Sequence, residues 1–487
     1  MEQIHMNNKN DDFNEKLKMM AGSSDFLIFE KRSNFSHPFT ICYFKPLVDP
    51  TILHEKIMPL LNVNADQSLD VLFAMLPITE KKLTSEWKSV EEGLLKGYAA
   101  IRFRAEGNQT LIVDVGKKEG RNVQAPEIEF SVIGPKEAFV ESITANLNLL
   151  RKRLPVPEMK TKEMTVGNLS KSKIAVCYME GITNEAYVNT VIQRIEGIDF
   201  DFVLDSSMLS EMIEDSKKSI FPQLLDTERP DRVAAALGLG QFAVFMDGSP
   251  HALIGPVNFA LFLVAYEDYY LPWHMASFFR LLRFFAVSFS IIASSLYVAA
   301  TSYHYEVVST SLLSTLISSR ADIPFPPIIE ALVMELTIDL LREAGARLPS
   351  KIAQTIGTVG GIVIGTAAIE AALTSNVLLV IVALSALASF TTPNFRMSTT
   401  IRILRYPFLL GAEWLGLLGI FIVFAFLLVH LLRLKSIGAP YLVPVYPLRL
   451  SDLNDSLIRL PYSSFPRRPS FLRTRHSSRK SVEIDEE

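Results

Sequence analysis

PPIIEALVMELTIDLL, residues 326–341, sets Glu330, Glu335 and Asp339 inside an otherwise apolar run. A carboxylate at the centre of a membrane helix costs about 2.5–3.5 kcal/mol to insert, while each Leu, Ile, Phe or Val returns only about 0.3–0.6 kcal/mol. Such acids are therefore kept where they meet protein, a counter-charge or water. Their chemistry is to draw cations into an aqueous path or to hold a buried ion pair, with Arg342 and Arg347 as nearby neutralising groups. Glu335 and Asp339 share one helix face, and Glu330 lies about 140° round the helix from Glu335, so the three form no single stripe. An interfacial helix with wet acids is the alternative.

Two further patterns exceed what an inert anchor requires. In IAQTIGTVGGIVIGTAAIEAAL, residues 352–373, Gly357, Gly361 and Gly365 recur every four residues on one face, where missing side chains let a second backbone approach. That contact lies within the chain, between subunits or around a pore. The second pattern is a charged elbow, Glu228-Arg229-Pro230-Asp231, whose charges can pair locally and whose proline suits the first position of a helix. Asp247-Gly248-Ser249-Pro250 then supplies a turn. The elbow is expected where water gives way to lipid, as a stabilising junction or as the coupling between soluble and membrane parts.

Enzyme chemistry has no foothold. The chain carries no GxGxxG, Walker, HExxH or GxSxG pattern, and no His, Cys and carboxylate set at ligand spacing. No catalytic residue, metal or cofactor is expected, and the protein is read as a non-enzyme. Its two cysteines, Cys42 and Cys177, stand outside any CxxC and are read as ordinary half-buried thiols.

The elements that must position these residues divide the chain unevenly. Of 487 residues, 49% are apolar and the net charge is only −4, yet the apolar runs crowd into residues 252–432. The expected fold class is an α+β soluble region with two small α/β domains, followed by an α-helical multi-span membrane bundle. The expected domains are 1–130 and 131–220, then an elbow and membrane-proximal or re-entrant segment 221–282, a bundle 283–432, and a cytoplasmic tail 433–487. Strands are expected at 25–32, 39–49, 69–77, 99–107, 109–118 and 172–181, with helices from Gly134-Pro135 to near Arg153, at 184–198, and after a strand edge near residue 201.

Spans are expected at 283–303, 352–373, 376–390 and 408–432, with 323–341 returning through the membrane and 252–266 ambiguous. Arg280, Arg283, Arg342, Arg347, Lys351, Arg396, Arg402 and Arg405 are assigned to cytoplasmic flanks. The polar start lacks a signal-peptide core, which puts the N-terminal region in the cytoplasm. The tail, with Arg467, Arg468, Arg473, Arg475 and Arg479, is expected to be disordered and drawn to anionic lipid, not to nucleic acid.

Five motifs in order resemble the A-subunit family of bacterial spore germinant receptors. They are Phe221-Pro222-Gln223, Thr227-Glu228-Arg229-Pro230-Asp231, Asp247-Gly248-Ser249-Pro250, Glu267-Asp268-Tyr269-Tyr270, and Arg342-Glu343-Ala344-Gly345-Ala346-Arg347-Leu348-Pro349 ahead of the glycine helix. The resemblance implies two small N-terminal α/β domains and a place in the spore inner membrane. It implies a transporter-like B subunit and a lipoprotein C subunit as partners. It also implies a homo-oligomer, given as a pentamer, that acts as a ligand-gated cation channel starting ion release. A substrate-translocating transporter and a non-conducting scaffold are the other readings. A transporter often shows paired repeats and matched helix interruptions, and neither occurs here.

Overall fold

The computed structural model describes residues 13, 15–31, 39–63, 68–103, 109–117, 126, 129, 133–348, 361–453, 455–464 and 467–479. The chain forms two units. The first comprises Met1–Lys217, Leu224–Pro256 and Pro466–Glu487, and the second comprises Lys218–Gln223 and Val257–Phe465.

The first unit contains two five-stranded sheets, antiparallel throughout. One runs in the order β1 (Phe26–Lys31), β2 (Phe39–Phe44), β4 (Tyr98–Phe103), β5 (Thr110–Asp114), β3 (Lys81–Thr84). Strand periodicity explains its three layers. Phe39, Ile41, Ile101, Phe103, Leu111 and Val113 point one way, onto Leu53, Ile57, Leu61, Leu69 and Leu72. Their alternates Cys42, Phe44, Ala100 and Ile112 point the other way, onto Phe13, Leu17, Val90 and Leu94. Burial pushes the thiols of Cys42 and Cys177 up to about 12, so neither ionises near neutral pH.

The second sheet runs β6 (Met159–Val166), β7 (Ser172–Met179), β9 (Phe242–Met246), β10 (Ala252–Gly255), β8 (Leu225–Thr227). Several expectations are corrected here. Residues 69–75 form a helix, α1 (Leu69–Met75), because Leu69 and Leu72 lie one helical turn apart on the core, a spacing the alternating-strand reading overlooked. The hairpin β4–β5 forms as expected, and Trp87–Leu95 forms helix α2.

Gly134-Pro135 starts no helix. The helix α3 (Ile143–Arg153) begins after Ser142, whose hydroxyl accepts the Ala145 N–H, and ends just before Pro155. Next come α4 (Glu185–Glu196), α5 (Ser206–Ile213) and α6 (Pro230–Leu239), and no strand precedes α5 near residue 201 among the described residues. The second sheet closes only with β8, β9 and β10, so this domain extends to about residue 255, not 220, and Ala252–Gly255 is a strand, not the start of a span.

A buried ion pair ties the two sheets. Arg151 of α3 and Asp25 ahead of β1 are both 0% exposed and meet through two contacts at 2.8 and 2.9 Å. Ser23 bonds Asp25 and accepts the Thr161 N–H at 2.9 Å, while the Ser24 N–H reaches the Thr161 carbonyl at 2.7 Å.

The chain then returns to this unit at its far end. Residues 467–479, expected to be disordered, pack with Phe471 7% and Leu472 1% exposed. The Phe471 carbonyl accepts the Tyr187 hydroxyl at 3.3 Å, the Arg475 N–H donates to the Ile182 carbonyl at 3.2 Å, and Arg468 donates to the Gly238 carbonyl at 2.9 Å.

The second unit is helical: α7 (Trp273–Ser302), α8 (Thr310–Arg320), α9 (Pro327–Arg347), α10 (Gly361–Glu370), α11 (Asn376–Ser389), α12 (Phe395–Leu415) and α13 (Leu417–Arg433). Among the described residues one helix, α7, is long and apolar enough to cross a membrane. Its 30 residues reach about 45 Å, beyond the about 30 Å of a hydrocarbon core. The apolar helices α10, α11 and α13 are shorter.

The expected span 408–432 is not one helix. Gly416, at φ +61° and ψ −135°, breaks it where only glycine fits comfortably, and α12 and α13 fold back on each other. They cross so closely that a Cβ on Gly419 would collide with the Gly411 carbonyl.

Arg151→Met leaves Asp25 buried without its partner and should cost about 3–5 kcal/mol in denaturant unfolding of the purified chain, with part recovered on adding Asp25→Asn. An unchanged unfolding midpoint for the single variant would remove this pair as the tie. Leu472→Ala should cost about 2–4 kcal/mol and expose the last residues to limited proteolysis, whereas an undocked tail would be cut equally in both proteins.

Candidate functional site

The acids of α9 are held by arginines of other helices. Pro327 occupies the first turn of α9, a position where its missing N–H costs nothing. Glu330 follows in that turn and is fully buried. It meets Arg320 at the end of α8 at 3.0 Å, and its other oxygen accepts the Ser375 N–H at 3.3 Å, at the N-terminus of α11 where backbone donors are otherwise free. Ser375 also bonds the Tyr297 hydroxyl of α7 at 2.9 Å.

One and a half turns along α9, Glu335 is 1% exposed and faces Arg405 of α12 at 2.8 Å. It also accepts the Ser294 hydroxyl of α7 at 2.6 Å. The second guanidinium nitrogen of Arg405 donates to the Ser290 hydroxyl at 2.6 Å and to the Ser385 carbonyl of α11 at 2.9 Å. Four helices, α7, α9, α11 and α12, thus converge on one guanidinium.

A third level follows. Asp339 accepts from Arg402 at 3.4 Å and from the Tyr406 hydroxyl at 2.9 Å, while Arg342 donates to Ser389 at 3.1 Å and lies 3.7 Å from the centroid of the Phe390 ring.

Glu330 and Glu335 are therefore buried in ion pairs within this bundle. Their neutralising partners are Arg320 and Arg405, not Arg342 or Arg347, and Arg347 pairs with exposed Glu343. Arg402 and Arg405, assigned to a cytoplasmic flank, belong inside the bundle. A signal for them was present. Ile401, Leu404, Phe408 and Leu409 recur at helical spacing, which places both arginines on a helix.

Gly357 lies outside the described residues. Gly361 opens onto empty space, and a Cβ on Gly365 would meet only Leu379, at 3.7 Å. Ile362 and Val363 are 63% and 56% exposed, and among the α10 residues only Ala368 is buried. Among the described residues, the glycine face of α10 meets little packing.

The charged elbow belongs wholly to the first unit. Pro230 opens α6 as expected, and Arg229, 2% exposed, grips Asp231 in a two-pronged pair at 2.7 and 3.1 Å. Thr227 and Arg232 both hold Glu129, at 2.5 and 2.6 Å. The Glu228 carbonyl accepts the Phe139 N–H at 2.8 Å, and its carboxylate stands 3.8 Å from His251. Asp247-Gly248-Ser249-Pro250 turns β9 into β10 and does not lead into a span. Phe221-Pro222-Gln223 serves the helical unit, where the carbonyls of Pro222 and Gln223 accept hydroxyls of Tyr441 and Ser436 at 2.8 and 2.6 Å.

Glu267-Asp268-Tyr269-Tyr270 forms a second charged centre. Asp268, 1% exposed, receives Arg280 at 3.3 Å and Arg283 at 3.1 Å. Asp455 joins Arg280 at 3.2 Å and accepts the Tyr269 hydroxyl at 3.1 Å, and Arg459 donates to the Asp268 carbonyl at 2.8 Å. Residues 455–464, expected without fixed structure, are therefore anchored at the start of α7.

The chain matches known proteins over nearly its whole length. Residues 12–471 match the Bacillus/Clostridium GerA spore germination protein family. The chain belongs to that family, among its germinant-receptor A subunits. It is 47% identical to spore germination protein GerQA of Bacillus cereus over 467 residues, covering 96% of this chain and 93% of that one. It is 38% identical to spore germination protein A1 of Bacillus subtilis, covering 94% and 92%. A crystal structure of the N-terminal domain of the A subunit of a Bacillus megaterium spore germinant receptor aligns at 25% identity and a TM-score of 0.36, covering 50% of this chain and 92% of that one. GerA-type subunits are receptors and not enzymes, and no group of His, Cys, Asp or Glu able to hold a metal ion occurs among the described residues.

In this GerA chain Glu335→Gln should destabilise the helical unit by about 3–5 kcal/mol by leaving Arg405 buried without a counter-charge. Glu335→Leu with Arg405→Met should recover most of that loss, read as the detergent-solubilised protein's thermal midpoint. Equal damage in single and double variants would show that the pair does not hold the bundle together.

Proposed function

We propose that this A subunit works as an oligomeric, ligand-gated cation channel in the spore inner membrane, with several of its helices crossing the bilayer and its N-terminal region in the cytoplasm. The observation that carries the reading is α10, an apolar helix left almost unpacked beside a bundle whose charges are neutralised internally. A helix of that kind has lipid or another protein as its neighbour. Gly361 and Gly365, one turn apart, leave room for a second backbone to come close. Copies of α10 set around a common axis would enclose a path between subunits.

Gating follows from the pairs on α9. Glu330, Glu335 and Asp339 fix α9 against α8, α11 and α12, so an opening motion must move these helices together or exchange the arginine partners. A transporter-like B subunit and a lipoprotein C subunit are the proposed partners, and a pentamer is the proposed stoichiometry.

Reconstitution with partner subunits into sealed liposomes tests the reading. Ligand-triggered cation flux without stoichiometric solute uptake is expected, and solute uptake coupled to flux, or no flux at all, would refute it. Gly361→Leu should reduce the cross-linked oligomer or the triggered flux by about tenfold, the effect of about 1.4 kcal/mol. An unchanged oligomer with normal flux would take α10 out of the assembly.

A further inference from the structure

The internal neutralisation of the helical unit has an exception where α9, α11 and the start of α12 meet. Arg402 and Arg405 press like charge on Arg342, and Asp339 is the carboxylate that acts against them. Arg405 is spent on Glu335, and Arg402 on Asp339. Three arginines thus face two carboxylates, and one positive charge is left over. Asp339 lies one turn before Arg342 on α9, close enough to pair with it, yet it serves Arg402 and the Tyr406 hydroxyl instead.

Arg342 is half-buried and held without being satisfied. Among the described residues one of its terminal nitrogens donates to the Ser389 hydroxyl at 3.1 Å, and its Nε is buried with no acceptor. The Nε of Arg402 is buried without an acceptor too. The Phe390 ring, 3.7 Å away, fixes where the Arg342 guanidinium stands. A guanidinium offers its N–H donors in a planar fork that matches the oxygens of a phosphate, and here the charge and the remaining donors are unspent.

The surface that runs away from this charge is apolar. Val380, Leu384, Leu387 and Phe390, at the C-terminal cap, recur at three- or four-residue spacing on one face of α11, and all four are exposed. From Val380 to Phe390 the stripe is about 15 Å long at about 1.5 Å per residue, half of the about 30 Å hydrocarbon core and so the depth of one leaflet. It ends at the ring beside Arg342. One unbalanced cation at the end of an apolar stripe of leaflet length fits an amphiphile with an anionic head.

We propose that Arg342, placed by Phe390, binds the headgroup phosphate of an anionic phospholipid whose acyl chain lies along Val380, Leu384 and Leu387. The single negative charge of a phosphodiester balances the single positive charge left over, and Arg402 adds to the attraction. A zwitterionic lipid carries its own cation and leaves that balance unmade, while inorganic phosphate supplies the head without the tail. The site requires only that the bundle meet a bilayer, so it can fail while the channel reading stands, and the reverse.

The experiment uses the purified full chain in neutral detergent. Its unfolding temperature is followed as dioleoylphosphatidylglycerol, dioleoylphosphatidylcholine or inorganic phosphate is added, since a ligand of the folded state raises that temperature. Phosphatidylglycerol should raise it saturably, and the other two should not. Arg342→Gln should weaken the apparent affinity for phosphatidylglycerol by about tenfold or more, as loss of hydrogen bonds to a charged group does. Phe390→Leu, at an exposed position, should act in the same direction, and it carries the test if Arg342→Gln does not fold. Arg347→Gln, further along α9 and exposed, should leave the affinity unchanged. Equal stabilisation by the two lipids, or affinity unchanged in both Arg342→Gln and Phe390→Leu, would overturn the proposal. An equal loss in Arg347→Gln would do so as well, by reducing the effect to general attraction between basic residues and an anionic surface. Stabilisation by inorganic phosphate as strong as by phosphatidylglycerol would put a free anion at Arg342 in place of the lipid and would also overturn it.

Discussion

Burying Arg405 among four helices imposes a condition that the rest of the bundle must meet. A guanidinium removed from water needs a counter-charge and acceptors at fixed places. Glu335 supplies the charge, and Ser290 and the Ser385 carbonyl supply acceptors, so α7, α9, α11 and α12 are fixed in register by one side chain. Hydrophobic contact alone would not do this, since Leu and Val packings slide with little change in energy. The Asp339–Arg402 and Glu330–Arg320 pairs repeat the arrangement along α9. The helix with most acids is thereby the one whose rotation is most constrained.

The soluble unit uses the same device at a different joint. Arg151 and Asp25 tie the two sheets, and Arg229 with Asp231 holds the entrance to α6. In both units the arginines are planar forks that accept two directions of constraint at once, which a lysine would not provide. Motif residues that look like surface charge in the sequence are internal fasteners in the fold.

This explains what the sequence could and could not reveal. Local patterns were legible: alternation in FTICYF and in β4 and β5, Pro230 at a helix start, and the long apolar run that became α7. Long-range facts were not. Nothing in residues 225–255 states that three short strands complete a sheet begun at Met159. The acids of α9 are visible as costly, yet their partners lie at positions 320, 402 and 405, and the last two read as flank charges because hydropathy windows weigh residues without knowing which face they occupy. Gly416 was hidden for a related reason, since a run of apolar residues looks continuous whether or not one glycine turns it back on itself.

The seating of Phe471 and Leu472 against the first unit bears on how the protein is made. Translation proceeds from the N-terminus, and domains ordinarily fold as they emerge from the ribosome. Here the unit that emerges first lacks two of its buried side chains until the entire helical unit has been synthesised. Its seat for them stays open to chaperones and to premature pairing for that interval. The part begun earliest is finished last, and a nascent chain stalled anywhere before residue 471 carries a soluble unit that is still incomplete.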